Sequence, residues 1–88
     1  MEIVKRRGHM EKFDERKVYG SCYSACMSCR LHERECERIS SHVTKEVKKW
    51  VKTRKKVTSN QISRKVASHL KKLHKPAAFM YETHMDVS

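Results

Sequence analysis

Apolar residues recur every three or four positions through much of this chain, and this period constrains the fold more than any other feature. The clearest run lies in the middle of the sequence, among many Lys, Glu, Ser and Arg residues. Such spacing places apolar side chains on one face of an α-helix. The apolar positions of this run are Cys36, Ile39, Val43, Val47, Trp50 and Val51. We predict a mainly helical chain, and its 88 residues, with one proline and two glycines, fit a single domain spanning 1–88.

A capping aspartate marks the start of an earlier helix. Asp14 precedes an apolar stripe that begins at Val18, and its carboxylate can accept from the exposed N–H groups of a first helical turn. Phe13 and Val18 flank this position as a hydrophobic staple would require. We therefore predict that the first helix begins near Glu15.

Two further helices are predicted after residue 57. Thr58 and Gln61 form a capping-box pattern, and they precede a stripe of apolar residues at helical spacing. The stripe consists of Ile62, Val66, Leu70 and Leu73. Pro76 suits the first turn of a last helix, which we expect to run from Ala77 to about Met85 with Phe79, Met80 and Thr83 facing inward.

The first seventeen residues have the pattern of a basic β-hairpin followed by the first helix. Two β-branched residues lead into Lys5, Arg6, Arg7 and a turn glycine, after which the chain returns to Asp14. The short β-branched run 57–59 can add a third strand edge. Cationic side chains beside a turn are suited to holding phosphate oxygens, so we expect a phosphate-binding ledge here.

Charge narrows the class of partner. Lys and Arg number 21 against ten Asp and Glu, a formal net charge of +11, which attracts polyanions. Charge alone leaves a nucleoside triphosphate, a nucleic acid and an acidic protein surface open. The sequence contains no catalytic dyad, paired carboxylates or Walker lysine loop, so we do not expect an enzyme. It also lacks an apolar run of the ~20 residues that a membrane span needs, and we expect a cytoplasmic protein.

Four cysteines could suggest a metal site, but their spacing on a helix opposes it. If residues 22–29 are helical, Cys22 and Cys29 lie about 10.5 Å apart along the axis. Thiolates that share one zinc ion lie within roughly 4 Å of each other. We therefore predict that Cys22, Cys26, Cys29 and Cys36 are mostly buried, reduced thiols without a metal role.

Three sequence blocks together resemble the ATP-cone, a nucleotide-binding regulatory module of ribonucleotide reductases and of their bacterial transcriptional repressor. The blocks have the order and approximate separation typical of that family, and they cover nearly the whole chain. They are Ile3-Val4-Lys5-Arg6-Arg7-Gly8, then Glu11-Lys12-Phe13-Asp14-Glu15-Arg16-Lys17-Val18, then Val57-Thr58-Ser59-Asn60-Gln61-Ile62.

The resemblance implies an α+β fold, in which a small N-terminal β-hairpin or three-stranded sheet caps a four-helix bundle. It implies that ATP or dATP binds between hairpin and helices, with Mg²⁺ and without a catalytic cofactor. In that site Lys5 and Arg6 hold phosphates, Glu11 and Asp14 accept from the adenine amino group, Lys17 contacts base or phosphate, and Ser59 donates toward base or ribose. Val4 and Ile62 complete the implied site. Because neighbouring residues of a strand point to opposite faces, one of Lys5 and Arg6 can instead be solvated.

The implied function is a stand-alone module that senses ATP or dATP and alters homo-oligomer assembly or a partner protein. Two other interpretations stay open. The run from Thr58 to Leu73 can serve as the recognition helix of a winged-helix or helix-turn-helix nucleic-acid-binding protein, with the N-terminal hairpin as the wing. The residues that would face a groove are Ser59, Asn60, Gln61, Arg64 and Lys65. Alternatively, the basic surface can belong to a protein adaptor without a ligand.

Overall fold

The structure, a computed structural model, describes the backbone of residues 2–4 and 10–83 and the side chains of residues 12–83. Four helices make up most of this part. They are α1 (Glu15–Ser28), α2 (Glu33–Lys52), α3 (Ser59–Leu73) and α4 (Lys75–Thr83). Three short strands are β1 (Glu2–Val4), β2 (Met10–Lys12) and β3 (Val57–Thr58).

The predicted caps of α1 and α3 are confirmed. Asp14 has extended backbone geometry, and its Oδ1 accepts from the backbone N–H of Arg16 at 2.9 Å. The Thr58 hydroxyl accepts from the Gln61 backbone N–H at 3.1 Å, while the Gln61 side-chain oxygen accepts from the Thr58 N–H at 2.9 Å. These bonds satisfy donors that the first turn leaves without partners, and so they fix where each helix begins.

One apolar core holds the helices together. α1 packs on α2 and α4, and α3 packs on the same two helices. The predicted stripe of α2 is buried, except that Trp50 is only half-buried. The largest fully buried side chains come from α2, α3 and β3, and they are Ile39, Leu70, Val43, Val47, Val51, Val57 and Val66.

The predicted inward face of α4 is wrong for Phe79 and Thr83, which are exposed, whereas Met80 is half-buried against the core as predicted. Phe79 is 68% exposed, whereas Ala77, Ala78 and Tyr81 are buried. Residues 77, 78 and 81 share one face of a helix, and residue 79 lies well around the axis from that face. The two alanines allow α4 to approach α1 and α3 closely. The predicted end near Met85 lies outside the described residues.

The predicted α+β class, with a sheet that caps the bundle, needs correction to a predominantly helical class. The strands contain only three, three and two residues, against helices of 14, 20, 15 and nine. They pair in the order β2-β1-β3. β1 and β2 make their main contacts with strands, and β3 leads directly into α3. The described β structure is therefore a short ribbon beside α3 and does not form a layer across the helix ends.

Three of the four cysteines are buried as predicted, namely Cys22, Cys26 and Cys36, while Cys29 is half-buried. All four are free thiols. In the described part of the chain, no group of three His, Cys, Asp or Glu residues is arranged to hold a metal ion. Among the same residues, no helix is both long enough and apolar enough to cross a bilayer.

Candidate functional site

The N-terminal ribbon and the start of α3 lie side by side. β1 pairs in parallel with β3, and this register sets Ile3 opposite Val57 and Val4 opposite Thr58. On its other edge β1 pairs antiparallel with β2, which sets Ile3 opposite Glu11. Thr58 is also the N-cap of α3. The backbone therefore brings the end of β1 to the first turn of α3.

A cleft of about 190 Å³ opens beside this junction, where α1 and α3 begin. Four residues of the predicted nucleotide site line it, although they come from segments far apart in sequence. These four are Asp14, Lys17, Ser59 and Ile62. The other lining residues are Lys12, Phe13, Val18, Ser21, Ser63 and Tyr81.

Asp14 is held in the cleft as an ionised acceptor. The Arg16 side chain donates from Nε to Oδ1 at 3.3 Å, in addition to the bond from the Arg16 backbone N–H. The side-chain bond and then the backbone bond lower the pKa of Asp14 below its ordinary value. A carboxylate has about four lone-pair sites on its two oxygens. Asp14 can therefore cap α1 and still accept a hydrogen bond from a ligand.

The cleft joins cationic and apolar groups at two helix N-termini. Lys17 is exposed and Ser59 half-buried, while Val18 and Ile62 are buried behind them. Both α1 and α3 direct the positive ends of their dipoles toward this region, because each begins with residues that line the cleft. An anion with an apolar planar part suits such surroundings.

Ser21, Ser63 and Tyr81 also line the cleft, although no sequence motif marks them. Ser21 and Ser63 each stand four residues after a predicted site residue, so helical spacing was an available signal for them. Tyr81 had no such signal, because its place depends on how α4 packs. Burial raises the pKa of Tyr81 to about 12, with the neighbouring Ser63 side chain acting in the opposite direction, so this hydroxyl keeps its proton at neutral pH.

A second, larger cleft of about 500 Å³ adjoins the first between α1 and α4. Lys17, Ser21 and Tyr81 line both clefts, so the two form one continuous groove along α1. Its remaining lining residues are Gly20, Ser24, Ala25 and Met80. The groove thus extends the site beyond the space that the first cleft offers.

The structure does not describe the side chains of the other residues predicted for the nucleotide site. Lys5 and Arg6 lie outside the described residues. Val4 and Glu11 are placed by backbone only, Val4 next to Thr58 and Glu11 across from Ile3. Their assignment to the nucleotide site stays a prediction.

Comparison with known proteins gives this geometry a family context. A search of curated proteins finds no match. A family model described as the ATP cone domain matches residues 1–82, nearly the whole chain, including both segments that form the cleft. ATP cones are nucleotide-binding regulatory modules and not catalytic domains. This chain therefore belongs to the ATP cone domain family.

Proposed function

We propose that this protein binds ATP or dATP at the cleft where α1 and α3 begin, and that binding regulates assembly or a partner protein. One observation carries the proposal. Asp14 and Lys17 from one family motif and Ser59 and Ile62 from another line the same cleft. Membership of the ATP cone family supports an adenine nucleotide as the ligand.

We assign the adenine base to the cleft. Its volume of about 190 Å³ is below the roughly 300 to 1,000 Å³ of typical small-molecule pockets, so it suits part of a nucleotide. The ionised Asp14 accepts from the adenine amino group, with Glu11 as a second acceptor. Ser59 donates toward base or ribose, and Ile62 supplies apolar contact with the ring. Val4 contributes from the adjacent strand.

We assign the phosphates to the open side of the cleft. Lys17 is exposed at the rim, and its ammonium group is suited to phosphate oxygens. Lys5 and Arg6 follow Val4 directly in sequence, and Val4 lies beside the first turn of α3. Mg²⁺ bound together with phosphates takes few ligands from the protein, so the triphosphate and water would supply most of its ligands.

Regulation would follow from differential binding to two arrangements of the protein. A nucleotide shifts an equilibrium only by the difference between its affinities for the two states. The ribbon, α1 and α3 meet at the proposed site, so a ligand there can change how these elements sit together. The response to the nucleotide would be a change in homo-oligomer assembly or in the activity of a partner protein. Such a partner would act in ribonucleotide reduction or in transcription. We place the protein in the cytoplasm and assign it no catalysis.

Calorimetric titration with ATP and dATP in the presence of Mg²⁺ tests the binding site. We expect Lys17→Ala to weaken binding about tenfold or more, because hydrogen bonds between charged groups contribute about 1.5 to 3 kcal/mol. Lys72→Ala is the matched control, since it removes the same charge from an exposed position at the far end of α3. That position is about 20 Å from Ser59 along the helix, beyond the Debye length of about 10 Å at 0.1 M salt. Equal losses in both variants would contradict the cleft as the site.

Light scattering after size exclusion tests the regulatory part. We expect the average mass, or the amount of a co-purified partner, to differ among the ATP, dATP and ligand-free samples. The comparison is made with Lys17→Ala as the binding-deficient control. The same mass and partner content in all samples would leave a nucleotide-binding protein but would reject assembly as its response.

A further inference from the structure

Nearly all of the net positive charge lies in one third of the sequence. Residues 45–73 contain eleven of the 21 Lys and Arg but only one of the ten Asp and Glu. The rest of the chain carries ten basic and nine acidic residues and is therefore almost neutral. The eleven basic residues are Lys45, Lys48, Lys49, Lys52, Arg54, Lys55, Lys56, Arg64, Lys65, Lys71 and Lys72.

Trp50 shows that cations from α2 and α3 meet on one surface. The Arg54 guanidinium lies 5.3 Å from the centre of the Trp50 ring, and the Lys65 ammonium lies 5.4 Å from it. Lys65 and Lys72 stand four residues before and three residues after His69 on α3, so the three side chains share one face of the helix. Burial, and then these two lysines, lower the pKa of His69. We call this face, formed by Arg54, Lys65 and Lys72 around Trp50 and His69, the basic surface.

Carboxylates neutralise few of these cations. Across the described side chains, ion pairs engage only two of the eleven, with Lys48 bound to Glu15 at 3.2 Å and Lys49 to Glu46 at 3.6 Å. Both pairs are solvent-exposed, and such pairs contribute little stability. Nine of the eleven cations have no carboxylate partner among the described side chains, and their like charges repel one another.

The composition of residues 45–73, which contribute the basic surface, favours a nucleic acid over a protein partner. Nine of the eleven cations in this segment are lysines, and lysine is depleted at protein interfaces, which have an apolar centre. The exposed large apolar residues of the described chain, Met27 and Phe79, belong to α1 and α4. Interfaces with DNA are much more positively charged and are dominated by contacts with phosphates.

The surroundings of Trp50 indicate how a nucleic acid would bind to the basic surface. Its ring is half-buried, and two cations already lie over it, so it is a poor platform for a stacked base. We propose that the basic surface binds the phosphate backbone of nucleic acid without base specificity. This surface involves the outer faces of α2 and α3, and it is distinct from the cleft at the start of α3. The proposal does not depend on nucleotide binding.

Fluorescence anisotropy with a labelled duplex of about 20 bp, at salt concentrations from about 50 to 200 mM, tests this proposal. The test variant is Lys52→Gln combined with Arg54→Gln, which changes two exposed cations at the C-terminal end of α2, one of them Arg54 of the basic surface. The matched control is Arg30→Gln with Arg34→Gln, which removes two charges at the other end of α2. Arg34 is about 27 Å from Lys52 along the helix. Circular dichroism establishes that both variants remain folded.

We expect the unmodified protein to bind the duplex with an affinity that falls steeply as salt increases. If each changed side chain contacts one phosphate, the test variant lowers the log–log salt slope by about 2 and weakens binding about tenfold or more at low salt. The control should change affinity less than about twofold, because its charges lie more than a Debye length away. A duplex of different base sequence should bind equally well.

Three results would overturn the proposal. The first is no salt-dependent binding of duplex or of a single strand, which would leave an acidic protein as the partner of this surface. The second is an equal loss in both double variants, since binding would then follow total charge. The third is a strong dependence on base sequence. Nucleotide binding at the cleft is measured in the same variants and should be unchanged. A failure of duplex binding can therefore be distinguished from a failure of nucleotide binding.

Discussion

Replacing Ser40 with alanine should stabilise this protein. Ser40 lies on α2, is completely buried, and its Oγ has no hydrogen-bond partner among the described residues. A buried hydroxyl without a partner destabilises the folded state by about 1 to 3 kcal/mol. Alanine also has the higher helix propensity, by about half a kcal/mol. We expect these two contributions together to raise the free energy of unfolding by about 1.5 to 3.5 kcal/mol, and Tm by at least about 4 °C for a domain of this size.

The neighbouring Ser41 provides the matched control, because it lies on the same helix but is exposed. Ser41→Ala should gain only the difference in helix propensity. Thermal and urea unfolding of both variants, followed by circular dichroism, gives the contribution of burial by subtraction, provided that the urea m-value is unchanged. A gain for Ser40→Ala no larger than that for Ser41→Ala would refute the reasoning, since the buried hydroxyl would then have no net penalty.

Three further outcomes follow from the structure. Thr58→Ala should lower the free energy of unfolding by about 1 kcal/mol in urea titrations, because the N-cap of α3 is lost, and an unchanged midpoint would contradict the capping role. Asp14 has a lowered pKa, so its stabilising effect is present above its unfolded value of 3.8 and is lost as pH falls below it. Asp14→Ala should therefore lower Tm at neutral pH and flatten the decline of Tm below about pH 4, as scanning calorimetry can check. Burial raises the thiol pKa of Cys22 to about 12 and of Cys26 to about 11. Mass spectrometry after brief alkylation at pH 8 should find label on the half-buried Cys29 before these two, and labelling of all at equal rates would contradict the core packing.

The helix starts could be predicted because their signals are local. Asp14 and the Thr58–Gln61 pair bond to backbone groups two or three residues away, so the sequence contains both partners of each bond. The period of α2 was similarly informative, since its apolar stripe stands among charged residues over 20 positions. Only Trp50 departed from it, since its ring is half-buried and lies against the cations of Arg54 and Lys65.

The face of α4 could not be predicted in the same way. This nine-residue helix carries apolar residues almost all around its axis, so its period does not select a buried face. Packing selects the face with Ala77 and Ala78, which allows close approach and leaves Phe79 outside. Tyr81 reaches the cleft as a consequence, and no local pattern marks a residue placed by such packing. The strands contribute less to the fold than predicted, because runs of two or three residues stabilise little by themselves.

The two surfaces that we assign to anions differ in where their acidic groups lie. A polyphosphate is attracted to any lysine-rich face, and the basic surface offers many cations with few carboxylates nearby. The cleft instead sets Asp14 close to Lys17, which weakens attraction to bare phosphate but supplies the acceptor that an adenine amino group requires. A ligand that carries both a base and phosphates gains from both residues, whereas a nucleic-acid backbone gains only from the cations. The same net charge can thus serve a selective site at the start of α3 and a non-selective surface along its outer face.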